Sequence, residues 1–359
     1  MGVRIGLAYN QKPDAPASLA GAVSASPDLN DAYAEWDAPA TIDAIARALS
    51  ALGEVIRLEA DASFPARLAA ERPNFVFNIA EGLAGPNRES QVPAICEFVG
   101  VPHHASDALT LGLALHKGRT KEILAARGVP TAPFVLAESV EAAREVRLRF
   151  PLFAKPAFEG SGKGITVRSR CRNRAQLVAQ VGHLLEAYRQ PVLIERWLPG
   201  PEFTVAILGN GAEARCLPLV GMRFEALPEG MPPIYGFEAK WLWDTADAPL
   251  DIFECPARIP DALADEVRAV ALAAYRALDC RDWCRVDVRC DDRGRPCVVE
   301  LNPLPGILPD PRDNSCFPKA ARAEGMTYDD LIQQVADIAW RRISGQSLLQ
   351  PMVPSREDD

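Results

Sequence analysis

The chain has 359 residues, of which 48% are hydrophobic and 24% are charged, the proportions of an ordinary soluble globular protein. This length suffices for two or three domains with their own cores, so the fold needs no disulfide bond or structural metal ion for stability. The net charge of −9 repels nucleic-acid phosphates and anionic lipids. It excludes a general nucleic-acid or membrane-surface binder but allows a local basic pocket for a nucleotide.

The sequence carries no sign of export or of a membrane span. Residues 3–9 form one short apolar run without a cleavage site, which is typical of a buried strand and not of a signal peptide. No stretch approaches the roughly 20 apolar residues of a membrane helix. The nine cysteines include no CxxC pair, which favours reduced core thiols over a zinc site. We therefore expect a cytoplasmic protein without membrane or nucleic-acid partners.

The first third of the chain alternates between strand and helix patterns. Residues 3–9, 55–60 and 75–81 are short apolar segments, and helical periodicity separates them, as at 40–52. This alternation predicts a parallel α/β domain, to which we assign residues 1–115. Residues 11–36 lack periodicity. They predict either a ligand-contacting loop at the carboxyl end of the first strand or a disordered segment without function.

Two helices and a change of pattern follow. One helix is expected from about 90 to 99 and another over 108–127, ending at Gly128. Residues 116–200 are expected to form a small central domain. It would contain a strand ending in Lys155-Pro156, a Gly-rich turn at 159–164, a strand at 165–167, a helix near 176–188 and a strand at 192–197.

The rest of the chain predicts an antiparallel sheet. Strand patterns at 203–208 and 215–221 are followed by a helix at 261–278 and by two strands joined at a turn, 291–294. We assign residues 201–345 to this C-terminal domain and expect 346–359 to be a disordered tail.

The last two strands carry the most informative side chains. A period of two puts Arg285 and Asp287 on one face of the first strand, and Glu300 and Asn302 share a face of the second. Three oxygen ligands on one hairpin face suit Mg²⁺, and Arg285 beside them suits a developing oxyanion or a transferring phosphate. A solvated face with cross-strand charge pairs is the alternative. The Glu-x-Asn pair, with a Pro-Gly turn behind it, favours the metal site.

Two further segments are compatible with nucleotide binding. The Gly-rich turn can offer backbone N–H groups, the Ser161 hydroxyl and the Lys163 ammonium to phosphate, and Lys155 precedes it on a strand. A tight β-turn is an equally good interpretation of that turn alone. The strand end at Glu195, followed by Glu202, suits an adenine and its ribose, or is a polar strand end at a domain junction.

In order along the chain, these motifs resemble the ATP-grasp superfamily, and specifically D-alanine–D-alanine ligases and their relatives. The resemblance runs from about residue 74 to 339. The matching residues are Gln91, Glu97, Lys117, Lys155-Pro156, Glu159-Gly160-Ser161, Glu195-x-Trp197, Pro201-Glu202-Phe203-Thr204-Val205, Phe237-Glu238-Ala239-Lys240, Arg285-x-Asp287 and Glu300-x-Asn302-x-x-Pro305-Gly306. The combination is specific, although no single motif is.

The resemblance implies a three-domain α/β ATP-grasp fold with an N-terminal parallel domain, a small central lid and a C-terminal antiparallel sheet. It also implies an ATP- and Mg²⁺-dependent reaction, with Mn²⁺ as a substitute, in which a carboxylate becomes an acyl phosphate and an amine displaces phosphate. For the nucleotide, the resemblance implies ATP phosphate contacts by Lys117 and Lys155, a γ-phosphate and substrate contact by Ser161, adenine contacts by Glu195, Trp197 and Leu198, and a ribose contact by Glu202. For the reaction, it implies metal ligation by Asp287, Glu300 and Asn302, oxyanion stabilisation by Arg285 and a lid contact by Lys240. Gly306 and Ser315 are the implied substrate contacts.

The chain departs from the family pattern at or near the amino-acid pockets. The differing segments are Tyr9-Asn10-Gln11-Lys12 after the first strand, Gly85-Pro86-Asn87-Arg88, Gly162-Lys163 in the phosphate loop, Trp241 in the lid and a lengthened loop at 308–314. We therefore expect a homodimeric ligase of amino acids or dipeptides whose substrates differ from two D-alanines.

Two alternatives stay open: an ATP-grasp enzyme that uses a non-amino-acid amine or modifies a peptide, and a non-catalytic nucleotide-binding relative. The joint presence of Arg285, Asp287, Glu300 and Asn302 argues against the latter.

Overall fold

The computed structural model describes residues 2–13, 33–237, 239–240 and 250–349, which form one parallel and two antiparallel sheets. Much of the 11–36 loop, Glu238 and Trp241 of the lid segment, and the tail from residue 350 onward lie outside the described residues. Expectations about them stay predictions.

The N-terminal part is a three-stranded parallel sheet. Its strands β1 (Val3–Tyr9), β2 (Gly53–Glu59) and β3 (Phe75–Asn78) lie in the order β2-β1-β3, and helices α1 (Pro39–Ser50) and α2 (Phe64–Glu71) connect them. The middle of β1 and all of β3 are buried, as expected for parallel strands covered on both faces. The prediction of a parallel α/β unit is confirmed.

Three helices, α3 (Gln91–Val99), α4 (Ala108–Leu115) and α5 (Lys117–Ala126), lead to the central part. The prediction of one helix over 108–127 is wrong, because His116 has non-helical φ and ψ angles of −83° and 85°. Its ring accepts a hydrogen bond from the backbone N–H of Arg119 and so caps α5. The break leaves Lys117 in the first turn of α5, where its N–H bonds to the carbonyl of Ala157.

The central part is an antiparallel sheet with two helices packed on it. Strands β4 (Phe134–Ala137), β5 (Leu152–Pro156), β6 (Arg170–Cys171) and β7 (Val192–Arg196) have the order β4-β7-β5-β6, and α6 (Val140–Glu145) and α7 (Arg174–Tyr188) share their apolar core. The helix expected near 176–188 is confirmed. The strand expected at 165–167 is wrong, because the Thr166 hydroxyl caps a 3₁₀ turn, Val167–Ser169.

The C-terminal part is the larger antiparallel sheet. Strands β8 (Glu202–Leu208), β10 (Val220–Met222), β11 (Phe253–Glu254), β12 (Trp283–Cys290) and β13 (Pro296–Asn302) have the order β11-β10-β8-β12-β13, and β9 (Arg215–Cys216) pairs with β8. Helix α8 (Asp261–Ala277) packs against this sheet through a buried face that includes Val267 and Ala271. The antiparallel prediction is confirmed, although residues 215–221 form two short strands and not one.

Helices α9 (Cys316–Ala323) and α10 (Tyr328–Ser344) are the last helices of the described chain, and α10 packs against α1 of the N-terminal part in one apolar core with β1 and β3.

The predicted domain boundary after residue 115 falls at the His116 break, and the predicted boundary after residue 200 falls between β7 and β8, but both stay predictions. No helix in the described ranges is long and apolar enough to cross a membrane. All nine cysteines lie in those ranges as free thiols.

Candidate active site

The hairpin of β12 and β13 brings the four predicted residues together. In its register Arg285 lies opposite Asn302 and Asp287 lies opposite Glu300, with a bulge directly after Asp287. The Arg285 guanidinium is 3.1 Å from Asp287 Oδ2, and the Asn302 amide donates to the same oxygen at 3.2 Å. The Thr204 hydroxyl of β8 donates to the other oxygen at 3.0 Å. Asp287 is therefore fixed from three sides on one half-buried face.

Two lysines approach this face from other parts of the chain. The Nζ atoms of Lys117 and Lys155 lie 3.4 Å and 4.0 Å from Glu300 Oε2. Burial by itself raises the pKa of Glu300, but Lys117, Lys155 and Arg285 outweigh it and lower that pKa to about 2. Glu300 is therefore ionised at neutral pH, as a metal-ligating carboxylate must be.

Beneath this face, Glu195 joins two buried lysines. Its carboxylate lies 2.7 Å from Lys121 Nζ and 3.1 Å from Lys155 Nζ, and all three side chains are less than 8% exposed. Burial opposes ionisation of Glu195, but the two ammonium groups overcome it and lower its pKa. The structure thus places Glu195 where it holds Lys155, and its predicted adenine contact is left untested. Lys121, one turn after Lys117, is a member of this cluster to which the sequence assigned no role.

The remaining predicted nucleotide residues lie at the end of β7 and the start of β8. The Trp197 ring has the Arg170 guanidinium 4.8 Å from its centroid and the Arg289 guanidinium at 4.3 Å, close enough for cation–π attraction. Arg289 also donates to Glu202 at 2.8 Å. Leu198 is buried beside Ala132 and Cys297. The period-two pattern that selected Arg285 and Asp287 also places Arg289 on their face, but the prediction gave it no role.

The Gly-rich turn packs against the lid segment. Ser161 has a positive φ of 51°, and its hydroxyl accepts a hydrogen bond from Lys240 Nζ at 3.3 Å. Burial and the nearby Arg285 lower the pKa of Lys240 to about 8. A Cβ on Gly162 would lie 3.3 Å from the backbone of Gly236, so this glycine permits close packing of the two segments. The structure brings Ser161, Lys240 and Arg285 to the same site.

We call the region between the hairpin face and the N-terminal part the cleft, and the residues of the N-terminal part beside the Gly-rich turn its N-terminal wall. This wall contains a charge network that the sequence did not predict. Arg88 Nη2 donates to both carboxylate oxygens of Glu35 at 3.0 Å, and Lys163 Nζ lies 2.9 Å from Glu35 and 2.6 Å from Glu159. The Lys163 ammonium, which the sequence offered to phosphate, is thus paired with two carboxylates. The one sequence feature that pointed to this network was Arg88, where the chain departs from the family pattern. Glu35 lies in a segment without periodicity, whose composition gave no indication of an ion pair.

Two more carboxylates, Glu81 and Glu89, line this wall. Burial raises the pKa of Glu81, as does the charge of Glu89. Burial raises the pKa of Glu89 to about 7 against the lowering effect of Arg88. Carboxyl groups therefore outnumber cations on this wall, with Glu35, Glu81, Glu89 and Glu159 beside Arg88 and Lys163.

The two predicted substrate residues contact each other. The Ser315 hydroxyl donates to the carbonyl of Gly306 at 3.0 Å and accepts from the N–H of Leu308 at 3.1 Å. Ser315 therefore fixes both ends of the lengthened loop. In that loop Arg312 pairs with Asp310 at 2.6 Å, on the exposed surface.

A divalent cation fits the hairpin face by its donor chemistry. In the part of the chain that the structure describes, no group of three His, Cys, Asp or Glu side chains could hold a metal alone. The hairpin supplies two carboxylates, Asp287 and Glu300, and one amide oxygen, Asn302. Mg²⁺ is commonly held in this way, with water and substrate phosphates as its other ligands.

Known proteins share this sequence and architecture. Residues 123–337 match the family described as "D-ala D-ala ligase C-terminus". An uncharacterised protein, y4sG, of Sinorhizobium fredii is 37% identical over 281 residues, covering 78% of this chain and 79% of that protein. The D-alanine–D-alanine ligase of Bordetella avium is 34% identical over 258 residues, covering 71% and 75% of the two chains.

Among solved structures, D-alanine–D-alanine ligase from Bacillus anthracis complexed with ATP has a similar fold. The TM-score is 0.67 at 21% identity, and the match covers 95% of this chain and 98% of that one. The fold is therefore that of an ATP-grasp enzyme. The match over residues 123–337 and the relative at 34% identity show that the chain belongs to the D-alanine–D-alanine ligase family. The chain is thus an ATP-dependent ligase that forms carbon–nitrogen bonds.

Proposed function

We propose that this ligase activates an amino-acid carboxylate with ATP and Mg²⁺ as an acyl phosphate, which the amine of a second amino acid or dipeptide then attacks. The observation that carries the proposal is the convergence of Lys117 and Lys155, from α5 and β5, on Glu300 of the hairpin. Lysines and carboxylates from separate elements would hold phosphate and metal together, while Arg285 lies beside Asp287 for the charge that develops on the reacting oxygen.

Each side chain has a role in this scheme. Lys117, Lys155 and Lys240 bind phosphate oxygens, and Glu195 keeps Lys155 charged and oriented. Ser161 covers the transferring phosphoryl group, while Trp197, Leu198 and Glu202 surround the base and ribose. Asp287, Glu300 and Asn302 would hold Mg²⁺ (or Mn²⁺), which neutralises phosphate charge when bound. Arg285 stabilises the oxyanion that forms when the amine attacks the acyl phosphate.

The substrates proposed are a pair other than two D-alanines. Support comes from the acidic N-terminal wall, where Glu81 and Glu89 have raised pKa values, and from the Ser315-anchored loop at 308–314. A cation beside Glu81 and Glu89 would stabilise their ionised forms and lower their raised pKa values, so this wall favours a substrate that carries a positive charge. Gly306 and Ser315 would bind the carboxylate of the second substrate from the other end of the cleft.

ADP release with a panel of amino acids, amines and dipeptides tests this function, with product masses identifying what is joined. We expect release with amino acids and a product heavier by one amide linkage. Release with D-alanine alone would restore the two-D-alanine pair. ATP binding without release for any member would favour the nucleotide-binding module, and products containing a non-amino-acid amine would favour the other class of ATP-grasp enzyme.

We further propose a cytoplasmic homodimer. Two large apolar side chains near each other in sequence support an intersubunit contact, since Phe98 at the end of α3 is 93% exposed and Leu109 in α4 is 71% exposed.

A further inference from the structure

The Gly-rich turn is held from outside its own domain by buried charges. Glu35 and Arg88 of the N-terminal part and Lys163 and Glu159 of the turn have side chains that are 4% to 15% exposed. Arg88 also donates to the carbonyl of Phe158, at the base of the turn, at 2.8 Å. Glu35 therefore lies between Arg88, a cation of the N-terminal part, and Lys163, a cation of the turn.

The contact is tight at the backbone as well. A Cβ built on Gly160 would clash with Glu35 Oε1. Any side chain at position 160 would displace the Glu35 carboxylate from its place between Arg88 and Lys163. The absence of a side chain at Gly160 and the position of Glu35 are thus parts of one arrangement.

The direct ion pairs of the turn join four side chains. Two carboxylates, Glu35 and Glu159, pair with two cations, Arg88 and Lys163. Burial alone raises the pKa of Glu35, but Arg88 and Lys163 outweigh it and lower that pKa to about 2. A buried ion that loses its partner is costly, so each member depends on the others.

We propose that Glu35 and Lys163 form a latch that fixes the Gly-rich turn over the reacting centre, and that Lys163 acts in this latch and not as a phosphate ligand. A turn containing Gly160, Gly162 and Gly164 has high conformational entropy when free, so a fixed position requires contacts of this kind. The far side of the turn meets Lys240 through Ser161.

The consequence for catalysis rests on the proposed function. A turn held in place shields the acyl phosphate from water. Attack by water instead of amine returns the carboxylate and inorganic phosphate, so that the net reaction becomes hydrolysis of ATP to ADP and phosphate. Glu35 and Lys163 are in this sense positioning residues.

The test uses hydrogen exchange and nucleotide binding, neither of which requires the substrates to be known. In the full-length protein, Glu35→Gln and Lys163→Met should each accelerate amide exchange of residues 158–166 about tenfold, with β1 and β3 unchanged. The double variant should show less than the product of the two single effects, because it leaves Arg88 paired with Glu159. Gly160→Ala should accelerate exchange to the same extent as Glu35→Gln. The control is Glu122→Gln, which breaks an exposed pair with Arg119 and should leave exchange unchanged.

Binding of a non-hydrolysable ATP analogue with Mg²⁺ separates a latch from a phosphate ligand. The latch predicts that both single variants weaken binding equally, by about threefold or less. Loss of more than about tenfold in the affinity of Lys163→Met with no change in Glu35→Gln would overturn the proposal. Unchanged amide exchange in Glu35→Gln, Lys163→Met and their double variant would also overturn it. Absence of ligase activity in the wild type would reject the proposed function. The exchange and nucleotide-binding results would still test the latch, because neither measurement needs ligase activity.

Discussion

The two sides of the cleft both carry buried charges and use them differently. On the hairpin side, Glu300 Oε2 lies 3.4 Å and 4.0 Å from the Nζ atoms of Lys117 and Lys155, longer than a charge-assisted hydrogen bond. On the N-terminal side, Glu35 makes two 3.0 Å hydrogen bonds to Arg88 and a third contact to Lys163 at 2.9 Å. The longer pairs of Glu300 suit a group that exchanges partners during reaction, whereas the shorter pairs of Glu35 suit a fixed wall.

The largest effect is expected on the hairpin. Glu300→Gln should lower turnover by about a thousandfold or more, because it removes a metal-ligating charge and leaves two lysines facing a neutral amide. ADP release measures this loss, and the melting temperature shows whether the fold is retained. Asp292→Asn, in the turn of the same hairpin, is the matched control. Equal turnover rates in Glu300→Gln and the wild type would show that Glu300 is not a metal ligand.

This contrast also explains what the sequence could predict. Strand periodicity and a short turn placed Arg285, Asp287, Glu300 and Asn302 on one face, since local geometry fixes a hairpin's register. Glu35 lies 53 residues from Arg88 and 128 from Lys163, and no local pattern encodes such pairings. The helix break at His116 was missed for a related reason, because its capping depends on a ring orientation that composition does not specify.

A second change tests the lysine cluster beneath the hairpin. Glu195→Gln leaves Lys121 and Lys155 buried with a neutral partner, so the free energy of unfolding should fall by about 3 kcal/mol. Urea unfolding with an unchanged m-value measures this difference. Asp265→Asn, which breaks an exposed pair on α8, should cost about 0.5 kcal/mol or less. Equal losses in the two variants would show that Glu195 does not compensate the lysines.

The pKa of Lys240, about 8, predicts a smaller effect of pH on the lid contact. As the pH rises through 8, the ammonium loses its proton and with it the attraction for phosphate. Affinity for a non-hydrolysable ATP analogue should therefore fall about tenfold between pH 7 and 9.5. Lys240→Arg stays charged over this range and should flatten the profile. Identical profiles for the two proteins would exclude Lys240 as the titrating group.

The smallest effect on catalysis is expected outside the cleft. Phe98→Glu should convert the proposed dimer to a monomer, because it places a charge on the apolar surface at the end of α3. Light scattering measures the mass, and activity per chain should change by about twofold or less. A monomeric wild type would contradict the proposal, as would a variant that stays dimeric.

The acyl phosphate is the central claim, and isotope transfer tests it most directly. An amino acid that supports ADP release would be labelled with ¹⁸O in its carboxylate, and the inorganic phosphate formed would be examined by mass spectrometry. Phosphorylation of the carboxylate predicts that one labelled oxygen per turnover passes into phosphate. Amide formation with unlabelled phosphate would contradict the account.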